Sequence, residues 1–135
     1  MLAILAPDGP VVSAIRARLP DAMAIYAFGS QIQGTAGQGS DLDLAVLVAT
    51  YADPLVLWPL SSALADVAKC PVDLLDLRAA TTVMQYQVIT SGRRLWSTGL
   101  AVDLFECYVL SEKTDLDTAR APLLAAILAT GKVHG

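Results

Sequence analysis

Histidine is nearly missing from this chain of 135 residues. Its single copy, His134, stands beside the last residue, where chains commonly fray, so no Ser-His or Cys-His nucleophile system is on offer. Cysteine is scarce as well: Cys70 and Cys107 lie in apolar surroundings with no third thiol or imidazole nearby. They supply neither a zinc site nor a disulfide framework, and both read as core thiols. Cations are outnumbered, nine Lys and Arg against thirteen Asp and Glu for a net charge of -4, and the only basic cluster is Arg93-Arg94. Non-specific grip on a nucleic-acid backbone takes several clustered cations, so a long polynucleotide is not the expected substrate. No apolar run reaches the roughly 18 to 20 residues that span a bilayer, and the opening Met-Leu-Ala-Ile-Leu-Ala-Pro-Asp lacks the basic region of a signal peptide. A cytoplasmic protein is expected. Internal repeats and low-complexity tracts are also lacking.

What is abundant is apolar: hydrophobic residues make up 55% and charged residues 16%, more than a typical globular surface needs, which points to a large core plus a partner interface. The length suits a single domain, 1–135. Val11, Val12, Ile15 and Leu19 recur at helical spacing over residues 10–19. Residues 22–28, with Ile25, Tyr26 and Phe28, form an apolar run of strand length that stops at Gly29-Ser30. A glycine-rich stretch, 31–40, prefers turns, and residues 41–48 then read as a strand. Asp53-Pro54 signals a helix start, with Leu57, Leu60, Leu64 and Val67 marking one face as far as Ala68, and Pro59 is expected to kink that helix or shift its start. Residues 71–77 predict a third strand, 81–90 a helix ended by Gly92, and 93–96 a short edge strand. Helical spacing returns over 100–110 and 118–129, with apolar positions Leu104, Cys107, Leu123, Ile127 and Leu128, and Gly131 is the expected cap. This order predicts an α+β fold, a small mixed sheet with helices packed on it.

Three features carry chemistry: Gly29-Ser30 at a strand end, Asp41 and Asp43 on one side of the pleat at the start of the next strand, and Asp73 in the third. Mg2+ prefers a few carboxylates together with substrate phosphates, and Asp41 and Asp43 are close enough to share such ions. Attack at the α-phosphorus of a nucleoside triphosphate needs a deprotonated nucleophile and an in-line leaving group, which a two-metal clamp stabilises. Asp73 is then placed to bind metal near the nucleophile and draw its proton. Gly29 admits close approach of backbone to triphosphate, and Ser30 brings a hydroxyl and an amide.

The segment 28–43 resembles the DNA polymerase beta-type nucleotidyltransferase superfamily, whose minimal members show Gly-Ser, ten residues, then Asp-x-Asp. Phe28-Gly29-Ser30, residues 31–40 and Asp41-Leu42-Asp43 fit without a gap, and Val72-Asp73-Leu74 looks like the third carboxylate. Gly34-Thr35-Ala36 and Ser40 also sit where such proteins have them, which implies a nucleotide contact for Ser40, although its local chemistry suits a turn cap. Arg93-Arg94-Leu95-Trp96 and the ending 127–135 look like the MNT-type antitoxins of HEPN/MNT toxin-antitoxin pairs. That resemblance implies an enzyme that moves AMP from ATP, with Mg2+, onto a tyrosine of a HEPN-family RNase toxin and silences it, with residues 100–135 contacting the toxin. One departure stands out: many relatives carry arginines shortly after Gly-Ser, where this chain has Gln31 and Gln33.

Blander readings compete at several positions. Asp76, three residues from Asp73, has the opposite or an offset facing and reads as a structural or capping group. Arg93-Arg94 divides between surface ion pairing, partner contact and phosphate binding, and Trp58 and Trp96 read as core or interface anchors. Two rival functions remain: transfer of a nucleotide to a small molecule, and a silent antitoxin that works by binding alone.

Overall fold

In the computed structural model, residues 2–34 and 41–130 are described. After a 3-10 turn at Leu2–Leu5, the chain runs through α1 (Pro10–Arg18), β1 (Ala22–Phe28), α2 (Ser30–Gln33), β2 (Leu42–Val48), α3 (Pro54–Ala68), β3 (Val72–Asp76), α4 (Thr82–Ser91), β4 (Arg93–Ser97) and α5 (Leu100–Thr130). The strands make one sheet in the order β3-β2-β1-β4, with β2 and β3 parallel and the other pairs antiparallel. The mixed sheet expected from the element order is therefore present.

Local chemistry sets the boundaries. Asp53 accepts a hydrogen bond from the Leu55 amide at 2.9 Å, and Pro54 sits in the first helical turn, where its missing N–H costs nothing. The helix starts there despite Pro59, which α3 carries in its interior. Thr81 caps α4 through the Met84 amide at 3.2 Å, and Gly92 ends it.

Side-chain alternation along β1 and β2 divides the core in two. On one face Ile25, Leu42, Leu44 and Val46 pack with Val11, Val12 and Ile15 of α1 and with Leu60 and Leu64 of α3. On the other, Ala24, Tyr26, Ala45 and Leu47 pack with Val88 of α4 and with Val102, Phe105 and Val109 of α5. The result is three layers, helices on both faces of the sheet. All four positions anticipated in α1, and Leu60 and Leu64 in α3, are buried.

A polar clip fixes α5 to the sheet. The Tyr26 hydroxyl donates to Glu106 Oε2 at 2.7 Å, and Arg94 Nη1 donates to the same oxygen at 3.0 Å and to Asp103 Oδ1 at 2.9 Å. Burial, then the neighbouring Glu106 carboxylate, pushes the Tyr26 hydroxyl far above its usual 10.0, so it stays a donor. Of the readings open for Arg94, ion pairing is the one seen.

Three expectations are corrected. Cys107 is exposed and so is not a core thiol, whereas Cys70, half-buried, packs against the core as expected. Leu104 and Cys107 point outward because α5 meets the sheet through Val102, Phe105 and Val109 instead. The two helical stretches after residue 100 are one helix; its middle is polar, held locally by Lys113 and Asp117 at 2.7 Å, so apolar spacing could not reveal its continuity. Side chains 123–130, and with them Leu123, Ile127 and Leu128, lie outside the described residues, as do Gly131 and His134.

Leu64 is fully buried between α3 and the sheet. Leu64→Ala should lower the unfolding free energy by about 2–5 kcal/mol, read from urea denaturation followed by circular dichroism. An unchanged midpoint would mean that α3 does not seal this face.

Candidate active site

One row of residues crosses the sheet where β1 ends and where β2 and β3 begin. Phe28 of β1 is opposite Asp43 of β2, and Asp43 is beside Asp73 of β3. Asp41 lies one residue before β2. With neighbouring strands about 4.8 Å apart, the row from Phe28 to Asp73 spans roughly 10 Å. The three carboxylates predicted from sequence are thus brought together, on the α4 side of the sheet by the alternation that buries Leu42, Leu44 and Leu74 on the other.

Asp41 and Asp73 are exposed, whereas Asp43 is half-buried. Burial, then Asp73 and then Asp41, raises the Asp43 carboxyl above its ordinary 3.8. Three like charges face one another with no cation among their described neighbours' hydrogen bonds or ion pairs. Among the described residues, no three His, Cys, Asp or Glu side chains are already closed into a metal-ligand set. The register of Asp43 with Asp73, with Asp41 one residue before β2, fits the donor set of a hard divalent cation, all oxygen and all anionic.

Gly29 is required twice over. Its φ of +80° is one that side chains rarely adopt, and a Cβ there would run into Asp43 Oδ2. The chain can therefore bring its backbone against the carboxylate and turn at once into α2. The Gly29 carbonyl accepts from the Ile32 and Gln33 amides, both at 3.1 Å, and Gly34, with φ of +76°, closes this single turn through its amide to the Ser30 carbonyl. Ser30 stands at the helix N-terminus, half-buried. A cleft of about 340 Å³ opens beside it, lined by Phe28, Gly29, Gln33, Gln87 and Ser91.

Gln87 and Ser91, on the last turns of α4, were invisible to sequence reasoning. Neither belongs to a motif, and only the packing of α4 beside the end of β1 brings them to the cleft. Gln33, one of the two glutamines after Gly29-Ser30, lines it too. Ser40 lies outside the described residues. Asp76 is structural, as its offset predicts: it accepts from the Ala52 amide at 2.8 Å and the Arg78 amide at 3.1 Å. Trp58 is 81% exposed, not core, and Trp96 is half-buried under the Arg16 guanidinium at 4.2 Å. A cavity of about 500 Å³ lies between α3 and β3 and includes Trp58 and Asp73.

Two outcomes follow from this geometry. Gly29→Ala should destabilise the fold by about 1 kcal/mol or more, measured by thermal or urea unfolding, because it adds both φ strain and a collision with Asp43. Asp43→Asn should stabilise the metal-free protein at neutral pH. A carboxyl raised in the fold contributes its full stability below its unfolded value and loses it as pH rises through the folded value, so wild type weakens above pH 3.8 relative to the variant. Melting curves across the acid-to-neutral range should show the gap between the two widening with pH; a constant gap would refute the charge argument.

The chain matches the family model described as polymerase beta, nucleotidyltransferase over residues 12–99. It is 36% identical over 129 residues to the protein adenylyltransferase MntA of Shewanella oneidensis, covering 94% of this chain and 93% of that one. Among solved structures, the crystal structure of a toxin-antitoxin with AMP-PNP aligns with a TM-score of 0.78 at 36% identity, covering 87% of this chain and 95% of that chain. A structure of the tri-AMPylated Shewanella oneidensis HEPN toxin in complex with MNT antitoxin aligns at 0.72 and 33% identity, covering 87% and 92%. Sequence, fold and the row from Gly29 to Asp73 agree: this chain belongs to the polymerase beta nucleotidyltransferase family, among the minimal members that MntA exemplifies.

Proposed function

We propose that this chain is the antitoxin of a toxin-antitoxin pair and that it silences a HEPN-family RNase by transferring AMP from ATP to a tyrosine of that toxin. The observation that carries the reading is the row Phe28, Asp43, Asp73, with Gly29 against Asp43 and Asp41 one residue before β2, which has a backbone turn for phosphate at one end and an exposed carboxylate at the other. The relatives add weight: MntA is a protein adenylyltransferase, and an MNT antitoxin is found with an AMPylated HEPN toxin.

In this reading the triphosphate lies in the cleft beside Gly29 and Ser30, where the Ser30 amide and hydroxyl, Gln33, Gln87 and Ser91 meet its oxygens as neutral donors. Asp41, Asp43 and Asp73 hold Mg2+, which when bound neutralises phosphate charge and polarises the α-phosphate. Asp73, exposed at the sheet edge, takes the proton of the tyrosine hydroxyl. The tyrosine oxygen then bonds to the α-phosphorus, the bond from that phosphorus to the bridging oxygen breaks, and pyrophosphate leaves with the electron pair. Gly29 keeps backbone, phosphate and Asp43 within one another's reach. Ser40, with a side chain of the same donor type, adds a nucleotide contact from the segment before Asp41.

The toxin docks on the outer face of α5. Leu100, Leu104 and Tyr108 are all exposed there at four-residue spacing, an apolar stripe that the intramolecular core does not use. Transfer to a small molecule fits less well, since the relatives at 33–36% identity that cover nearly the whole chain are toxin-antitoxin proteins.

With purified toxin, ATP and Mg2+, wild type should add AMP-sized mass to the toxin, and Asp41→Ala with Asp43→Ala should reduce the rate by at least about a thousandfold. Intact-protein mass spectrometry reads the result, and persistence of the mass increase in the double variant would overturn the assignment.

A further inference from the structure

The cavity of about 500 Å³ between α3 and β3 plays no part in the reaction as described above. Its walls are Leu57, Trp58 and Ala65 of α3 against Pro71, Val72 and Leu74, with Ser61 and Ser62 as neutral hydroxyls and Asp73 as the only charged residue. Trp58 stands 81% exposed at this groove and Leu55, three residues before it, 82%. Exposed together beside a mostly apolar groove, Trp58 and Leu55 make the kind of patch that marks an interaction surface, and aromatic anchors dominate binding energy at interfaces.

The groove's position says what covers it. β3 is the edge of the sheet, so its outer side has no strand neighbour, and the groove runs along that edge. Asp73 belongs both to the groove wall and to the carboxylate row. Alternation turns its carboxylate to the α4 side, while Val72 and Leu74 turn toward α3. The nucleotide cleft lies at the opposite end of the row, beside β1. A group reaching Asp73 while the nucleotide occupies the β1 end therefore arrives over the β3 edge, past this groove.

We propose that the α3–β3 groove is the acceptor subsite: it takes an extended segment of the protein acceptor, burying apolar side chains next to the modified tyrosine against Trp58 while the tyrosine itself reaches round the edge to Asp73. This rests on the reading of the chain as a protein adenylyltransferase and deepens it. An edge strand adds main-chain pairing for such a segment, and pockets beside the edge select its side chains. A mostly apolar lining with two hydroxyls suits a neutral peptide segment and gives nothing to hold a second polyphosphate.

The test is a steady-state comparison of wild type, Trp58→Ala and Ser62→Trp with purified toxin and Mg-ATP. Both positions are exposed, so folding is not at stake, and matching melting curves verify it. Removing the indole or filling the groove should raise KM for the toxin about tenfold or more while KM for ATP moves less than about twofold. Should KM for ATP rise instead, the groove holds the nucleobase and the proposal is overturned; unchanged constants for both substrates overturn it equally. Absence of transfer by wild type would defeat the adenylyltransferase reading itself, and the groove assignment with it, whereas equal transfer by wild type and both variants defeats the groove assignment alone.

Discussion

Strand register holds Asp43 against Asp73, and with Asp41 one residue before β2 it concentrates three like charges at one corner of a largely apolar molecule. Left to themselves these groups would separate; the ladder between β2 and β3 does not let them. The position of the row at the strand ends limits the damage, because Asp41 and Asp73 keep water while only Asp43 gives some up. Immediately behind it, Leu42, Leu44, Ala45 and Val46 are fully buried, so the backbone that presents the charges is clamped by core packing on both faces. In the proposed reaction a divalent cation would turn the repulsion among these carboxylates into shared attraction, so the charges that oppose one another in the fold are the ones that would hold the ion.

The same corner was the most legible part of the sequence. Gly29, Ser30, Asp41, Asp43 and Asp73 announce themselves because their demands are local: a positive φ, a strand end, a period-two alternation. Helix and strand identities were legible for the same reason, since Val11, Val12 and Ile15 or Leu60 and Leu64 repeat at the period of a buried helix face. Legibility fails where a residue's role is set by something distant in the chain. Gln87 and Ser91 reach the cleft only because α4 packs beside β1. Trp58 has the composition of a core residue, yet the side of α3 that carries it turns out past the sheet edge. Cys107 and Leu104 sit in an apolar sequence neighbourhood but on the outward side of α5, and no periodicity decides between two faces when both are apolar.

That ambiguity in α5 has a physical resolution. Arg94, Glu106, Asp103 and Tyr26 form a polar clip that selects one rotational setting of the helix, and the setting buries Val102, Phe105 and Val109. Had hydrophobic burial alone chosen, Leu100, Leu104 and Tyr108 would compete for the same place. Exposed surface pairs add little to stability, but Glu106 is shared by two donors and Tyr26 is almost fully buried, so misplacing the helix would strand a tyrosine hydroxyl without a partner. The clip thus works through orientation more than energy, and its consequence is an apolar stripe held facing outward.

The cleft beside Gly29 poses the sharper electrostatic problem. Its described lining, Phe28, Gly29, Gln33, Gln87 and Ser91, contains no cation, and the Asp43 carboxylate lies against Gly29. A triphosphate entering alone would meet neutral donors on one side and carboxylates on the other, so the Coulomb contribution opposes binding. Neutral hydrogen bonds recover about 1 kcal/mol each against water, too little to offset several like charges. On the proposed reaction, nucleotide and divalent cation therefore bind as one unit, each supplying the charge the other lacks. With the uncharged Gln31 and Gln33 following Gly29-Ser30, that compensation falls on the ion in the proposed reaction, and the carboxylate row would recruit it.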